Sequence, residues 1–195
     1  FVAFDEHPGK SKKPVELTFW WSGNGHRDLL SPIAAPERQR VVIDANVLYH
    51  LMDKANEESQ ALQADWLVDF IELCVTDEIF NEIERRDDAG HRRERRAFAH
   101  RFPVLSAPPA DVEKIKAKLL TVLPEGATPS QQSDFRQVNK AIASGISVFT
   151  THDEELLRRA GQIADLFGLK VVRPGQLIVE LDALRREDEY RPGRL

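Results

Sequence analysis

The sequence predicts an α/β protein of three layers, with helices on both faces of a central parallel sheet of about five strands. Three observations predict it. Short β-branched runs alternate along the chain with stretches whose apolar residues recur at helical spacing. The run Val41-Val42-Ile43 is too short for a helix and suits a strand buried on both faces. Two of the strands end abruptly in an aspartate, Asp44 and Asp153, at the carboxyl edge where open α/β sheets place their ligands.

Bulk composition narrows the class. The chain has 195 residues, 42% of them hydrophobic and 30% charged, enough for one well-buried domain with some extra. No run approaches the length of a bilayer span, so no membrane association is expected. A charged-then-apolar leader is not apparent, and the single cysteine, Cys74, excludes an internal disulfide; both suit a cytoplasmic protein. The chain lacks a starting Met and is expected to be a piece of a longer protein. Its net charge of −5 argues against wrapping nucleic acid over the whole surface. A local basic patch remains open, because seven Arg fall between Arg85 and Arg101.

Residues 1–39 read as an extension, the end of a preceding domain or a linker. Within it, Val15 to Trp21 alternates as a strand and Ser22-Gly23-Asn24-Gly25 is a turn. The main domain spans 40–186. After Asp44, Val47, Leu48, Leu51 and Met52 have helical spacing. A second helix is expected from Ser59 to Phe70, with Leu62, Trp66, Leu67 and Phe70 on one face. Leu73 to Thr76 is the next strand. Asp77 can cap a helix carrying Ile79, Phe80 and Ile83. This helix is expected to end at Gly90, followed by a short basic helix. Phe102 to Leu105 reads as an edge strand, because it holds Pro103. Asp111 opens a helix to Val122, and Pro124 to Pro129 is a loop. Ser133 to Gly145 is helical, with Gly145 placed to stop it. Ser147 to Thr151 is a strand, Glu154 to Phe167 a helix ending at Gly168, and Lys170 to Arg173 the last strand. A final helix starts at Pro174, and 187–195 is a charged tail.

Two helices bring further acids, Glu82 and Asp134, toward the edge where Asp44 and Asp153 lie. Clustered carboxylates raise one another's pKa unless a cation neutralises them. Hard divalent cations prefer oxygen ligands, and Mg²⁺ needs only a few carboxylates plus waters. Such a site suits hydrolysis of a phosphodiester. Zinc-type Cys/His spacing, a Walker loop and GxGxxG are all absent from the sequence.

Asp44-Ala45-Asn46-Val47-Leu48 after its strand, Glu82 in Phe80-Asn81-Glu82-Ile83, Asp134 with Ala141 and Gly145, and Phe149-Thr150-Thr151-His152-Asp153 occur in a set order. That ordered set resembles the PIN-domain ribonucleases, the VapC-toxin-like metal-dependent nucleases, over about residues 40–180. The resemblance implies a parallel sheet, Mg²⁺ or Mn²⁺ in an acidic cleft, and endonucleolytic cleavage of RNA, usually single-stranded. It implies Asp44, Asp134 and Asp153 as metal ligands, and Glu82 as a ligand or as the group that orients water. Asn46 and Thr151 would hold the carboxylates or the phosphate. Many members are toxins paired with an antitoxin; others process RNA, and a homodimer is a common state. Two features depart from the family pattern: the extension before the first motif and the Arg-rich stretch after the second acid.

Plainer roles stand beside these. Asp44 and Asp134 are also suited to capping helices. Glu78 or Glu84 competes with Glu82 as the inward acid. Arg85, Arg86, Arg92, Arg93, Arg95 and Arg96 either grip phosphates or form a solvated, salt-bridged helix. Two other functions compete with the nuclease. One is a non-catalytic interaction module. The other is a phosphotransfer or receiver domain with Asp44 as nucleophile, for which Asn46 stands where a second Asp would be expected.

Overall fold

The computed structural model describes residues 38–85 and 88–189, with side chains placed through residue 186. The expected strand Val15–Trp21, its turn, and Arg86 lie outside the described residues. The first strand, β1 (Gln39–Ile43), leads into α1 (Ala45–Asp53). There follow α2 (Glu57–Ala61), a single 3₁₀ turn (Asp65–Asp69), β2 (Ile71–Thr76), α3 (Glu78–Glu84) and α4 (Ala89–Ala99). The second half runs β3 (Val104–Leu105), α5 (Pro109–Leu119), α6 (Pro129–Ala143), β4 (Val148–Thr150), α7 (Glu154–Arg158), α8 (Ala160–Phe167), β5 (Lys170–Val172) and α9 (Pro174–Glu189).

All strand pairs are parallel, in the order β3-β2-β1-β4-β5. The chain therefore winds outward from β1 in one direction, then crosses back to wind the other way from β4. The crevice between the ends of β1 and β4 is the switch point where such sheets open toward ligands.

Alternation along β1 explains the layers. Val41 and Ile43 face one core, with Leu48, Ile79, Ile83, Ala99, Leu177 and Leu181 from α1, α3, α4 and α9. Val42 faces the other, with Leu119, Phe135, Val138, Ala141, Phe149, Leu156 and Ile163, drawn from β4 and α5 to α8. A strand buried on both faces has no polar side, which is why Val-Val-Ile carries no alternation.

Several boundaries differ from expectation. The Ser59–Phe70 helix is two pieces: Asn56 caps α2 through Ser59 N, and Ala64 is extended before the 3₁₀ turn. Leu62 and Leu67 still reach the core, but Phe70 stays largely outside, where its carbonyl accepts from Gln39 N. Gly90 does not end a helix. α3 stops at Glu84, and Gly90 sits in the first turn of α4, which Asp88 caps through His91 N. α6 begins earlier than Ser133, because Pro129 occupies its first position and Thr128 forms a reciprocal capping box with Gln131. The expected Glu154–Phe167 helix breaks at Arg159, whose guanidinium is held by Glu155 and the carbonyl of Val122. Pro103 does mark an edge: among the described residues β3 is an outermost strand, pairing with β2 alone. Gly145 follows α6 at φ 70, a conformation costly for residues with a Cβ.

Phe149 is fully buried at the centre of the second core. Truncating it to alanine is expected to cost about 3–5 kcal/mol. Urea denaturation checks this, and a loss below about 1 kcal/mol would contradict the packing described.

Candidate functional site

Asp44 ends β1 and has no exposed surface. It also caps α1, its Oδ1 accepting from Ala45 N at 2.5 Å. Its Oδ2 accepts from Thr151 Oγ1 at 2.6 Å. Thr151 is itself fully buried and accepts from Asp153 N at 2.9 Å. One hydroxyl thus ties the end of β1 to the turn after β4. Asp153 caps α7 through Leu156 N at 2.8 Å. Asp44 makes the cap that its place in the sequence allowed.

Asp134 is not a cap. It sits in the middle of α6, half-buried, and shares with Asp153 the lining of a cavity of about 260 Å³. Asn46 lies in the first turn of α1 and is exposed.

α3 brings in Glu82. Ile79 and Ile83 face the core, while Glu78 and Glu82, one turn apart, reach toward α6. Ser133 Oγ and Gln137 Nε2 each donate to Glu82 Oε2 at 3.2 Å. The competing acids take other roles. Glu78 is buried, bonded by Arg136 Nε at 2.8 Å and by Asn81, with Lys140 at 3.5 Å. Burial pushes its pKa up, but Asn81, Arg136 and Lys140 outweigh burial and hold it below the usual range. Glu84 turns outward to Arg96 at 2.5 Å and Arg92 at 3.9 Å. Asp77, expected as a cap, makes no capping bond and pairs with Lys140 at 2.7 Å.

Electrostatics join what hydrogen bonds do not. Burial raises Asp44 to about 7, Thr151 and Ala45 opposing, with the charges of Glu82 and Asp153 pushing further up. Burial raises Asp134 to about 8, with Asp44, Asp153 and Glu82 adding to it and Arg85 opposing. The four acids singled out in the sequence therefore share one field. Among the described residues, no three His, Cys, Asp or Glu side chains stand close enough to grip one ion. The donor set is nonetheless all carboxylate oxygen, which is the chemistry a hard dication fits, and Arg85 lowers the pKa of Asp134 against its acidic neighbours.

The basic run is less available than its sequence suggests. Arg92 and Arg96 are drawn to Glu84, and Arg95 lies over the Tyr49 ring at 4.3 Å. These three serve first to dock α4 against α1 and α3, and Arg93 is exposed. His152 is half-buried, its Nε2 2.9 Å from Ser59 Oγ and its ring 5.0 Å from that of His50. Burial, then His50, lowers its pKa. Ser133 and Gln137 escaped the sequence reading. Two polar residues buried in an apolar stripe were the signal that could have found them.

Fold and site together define an α/β protein with a carboxylate-lined switch point. Neither family models nor curated proteins match the sequence. Among solved structures, the chain is similar to VapBC2 from Rickettsia felis bound to a DNA fragment from its promoter, at 12% identity and TM-score 0.49, covering 68% of this chain and 97% of that one. It is similar to VapBC-1 from nontypeable Haemophilus influenzae, at 16% identity and TM-score 0.48, covering 70% and 98%. FitAcB from Neisseria gonorrhoeae matches at 16% identity and TM-score 0.42, covering 69% and 97%. Among the described residues no helix is long and apolar enough to cross a membrane.

The raised carboxylates fix the sign of a pH effect. Folded values of about 7 and about 8 lie above an unfolded value of about 4, so the stability that these two groups contribute to the metal-free protein is fully present below about pH 4 and is lost as pH rises through 7 to 8. Asp134→Asn removes one charge. In EDTA it is expected to melt a few degrees above wild type at pH 8 and close to it at pH 4. A variant that melts lower at pH 8 would show that Asp134 is not repelled there.

Proposed function

We propose that this chain is a Mg²⁺- or Mn²⁺-dependent endoribonuclease acting on single-stranded RNA. The observation that carries the reading is the buried Asp44 at the switch point, under the charge of Glu82 and Asp153, with Asp134 raised in turn by all three. Asp44, Asp134 and Asp153 would hold the cation, with Glu82 as a further ligand or as the group that orients the attacking water. When bound, the cation would neutralise these carboxylates and the charge that develops on the phosphate, and would ease ionisation of water. Thr151 keeps Asp44 and the backbone of Asp153 in register. Ser133 and Gln137 fix one oxygen of Glu82. Asn46, exposed two residues beyond Asp44, would donate to a phosphate oxygen. Arg85 and Arg93 would contribute to the phosphate path, with Arg92, Arg95 and Arg96 secondary. A cytoplasmic location, a protein partner of antitoxin type and a homodimer belong to the same reading by family resemblance.

A non-catalytic interaction module is the second reading. One observation favours it: both oxygens of Asp44 and one of Asp153 are engaged by the chain's own donors.

Incubation with single-stranded RNA separates the two. Cleavage is expected in Mg²⁺ or Mn²⁺, to be abolished by EDTA and to fall more than about 100-fold in Asp44→Ala. Cleavage that survives chelation and the substitution rejects the nuclease. A protein that neither cleaves nor binds Mn²⁺ in calorimetry is the module.

A further inference from the structure

The cavity beside Asp134 and Asp153 has a second wall that the acidic chemistry does not use. Its floor is carbon, from Leu123, Phe135 and Leu156, and Pro124 stands exposed at its side. At about 260 Å³ it lies just under the range of about 300–1,000 Å³ that takes drug-sized ligands. It suits one small flat group and is too small for a stretch of backbone.

The loop that closes it is built rigidly. Gly126 has φ +79, and a Cβ there would fall 2.3 Å from Gln131 Cβ, so only glycine lets the loop lie against α6. Gln131 Oε1 accepts from Ala127 N at 3.1 Å and Thr128 N at 3.2 Å, and Thr128 Oγ1 lies 3.1 Å from it. With its oxygen consumed by the cap, Gln131 offers the cavity only its amide N–H donors. Arg158 lines the rim, ion-paired with Glu155 and exposed enough to meet a phosphate.

We propose that this cavity is a pocket for one nucleobase of the RNA, next to the scissile phosphate. The proposal rests on the nuclease reading and adds the substrate contact that sets base preference. Of the cavities described, this is the one that Asp134 and Asp153 line, so a phosphate held beside those two aspartates has it as the apolar recess for its adjoining base. The base inserts over Leu123 and Phe135, and its edge accepts from Gln131 Nε2. Uracil presents carbonyl oxygens on its edge, whereas the N1 and N7 acceptors of adenine are each flanked by an amino donor that a donor-only partner disfavours, so uracil is bound in preference to adenine.

Gln131→Glu isolates the contact. Glutamate is a natural partner in a capping box, so the fold is kept while the donor is lost. Fluorescence anisotropy with short oligouridylate and oligoadenylate, in Ca²⁺ at one fixed salt concentration, reads the pocket without any need for cleavage. Wild type is expected to bind oligouridylate about five-fold more tightly, and Q131E to lose the difference while melting like wild type. Equal affinities in wild type, no binding of either, or an unchanged ratio in Q131E overturns the pocket. Mg²⁺-dependent cleavage is measured separately. Its absence sinks the nuclease reading but leaves the binding ratio to be read, so the two failures are distinguishable.

Discussion

A carboxylate with no access to solvent is expensive to ionise, and Asp44 is such a group, placed where the charges of Glu82 and Asp153 reach it. Among the described residues its environment offers two donors, Ala45 N and Thr151 Oγ1. They do not outweigh burial and the neighbouring charges, so Asp44 holds its proton to about pH 7. The elements that carry these acids are fixed by two apolar cores, which keeps the groups near one another.

The neighbouring charges are arranged differently, and the contrast is informative. Glu78 is as buried as Asp44, yet two cations and an amide settle it as a structural ion. One turn along the same helix, Glu82 accepts from Ser133 Oγ and Gln137 Nε2, and its charge raises Asp44 and Asp134. α3 therefore carries one acid held below its usual range and one whose charge reaches the switch point.

Much of the layout was legible in the sequence because it depends on local chemistry. A β-branched run ending in Asp44, and another ending in Thr151-His152-Asp153, state both the strand and the acid at its carboxyl end. The position of Glu82 was readable from the Ile79 and Ile83 stripe beside it. What the sequence hid depends on tertiary partners. Nothing local distinguishes Arg96 bonded to Glu84 from an arginine facing RNA, or marks Gln137 as a donor to a helix 55 positions away. The divided helices at Ala64 and Arg159 obey the same rule: their apolar spacing is helical, and the breaks are set by where the chain must turn back to the sheet.

The most direct test of the central claim is a carboxylate-detected NMR pH titration of the metal-free protein. Asp44 and Asp134 are expected to titrate near 7 and near 8, respectively. If both instead ionise near the ordinary aspartate value of about 4, the acids do not share a buried field, and the account of this site is wrong.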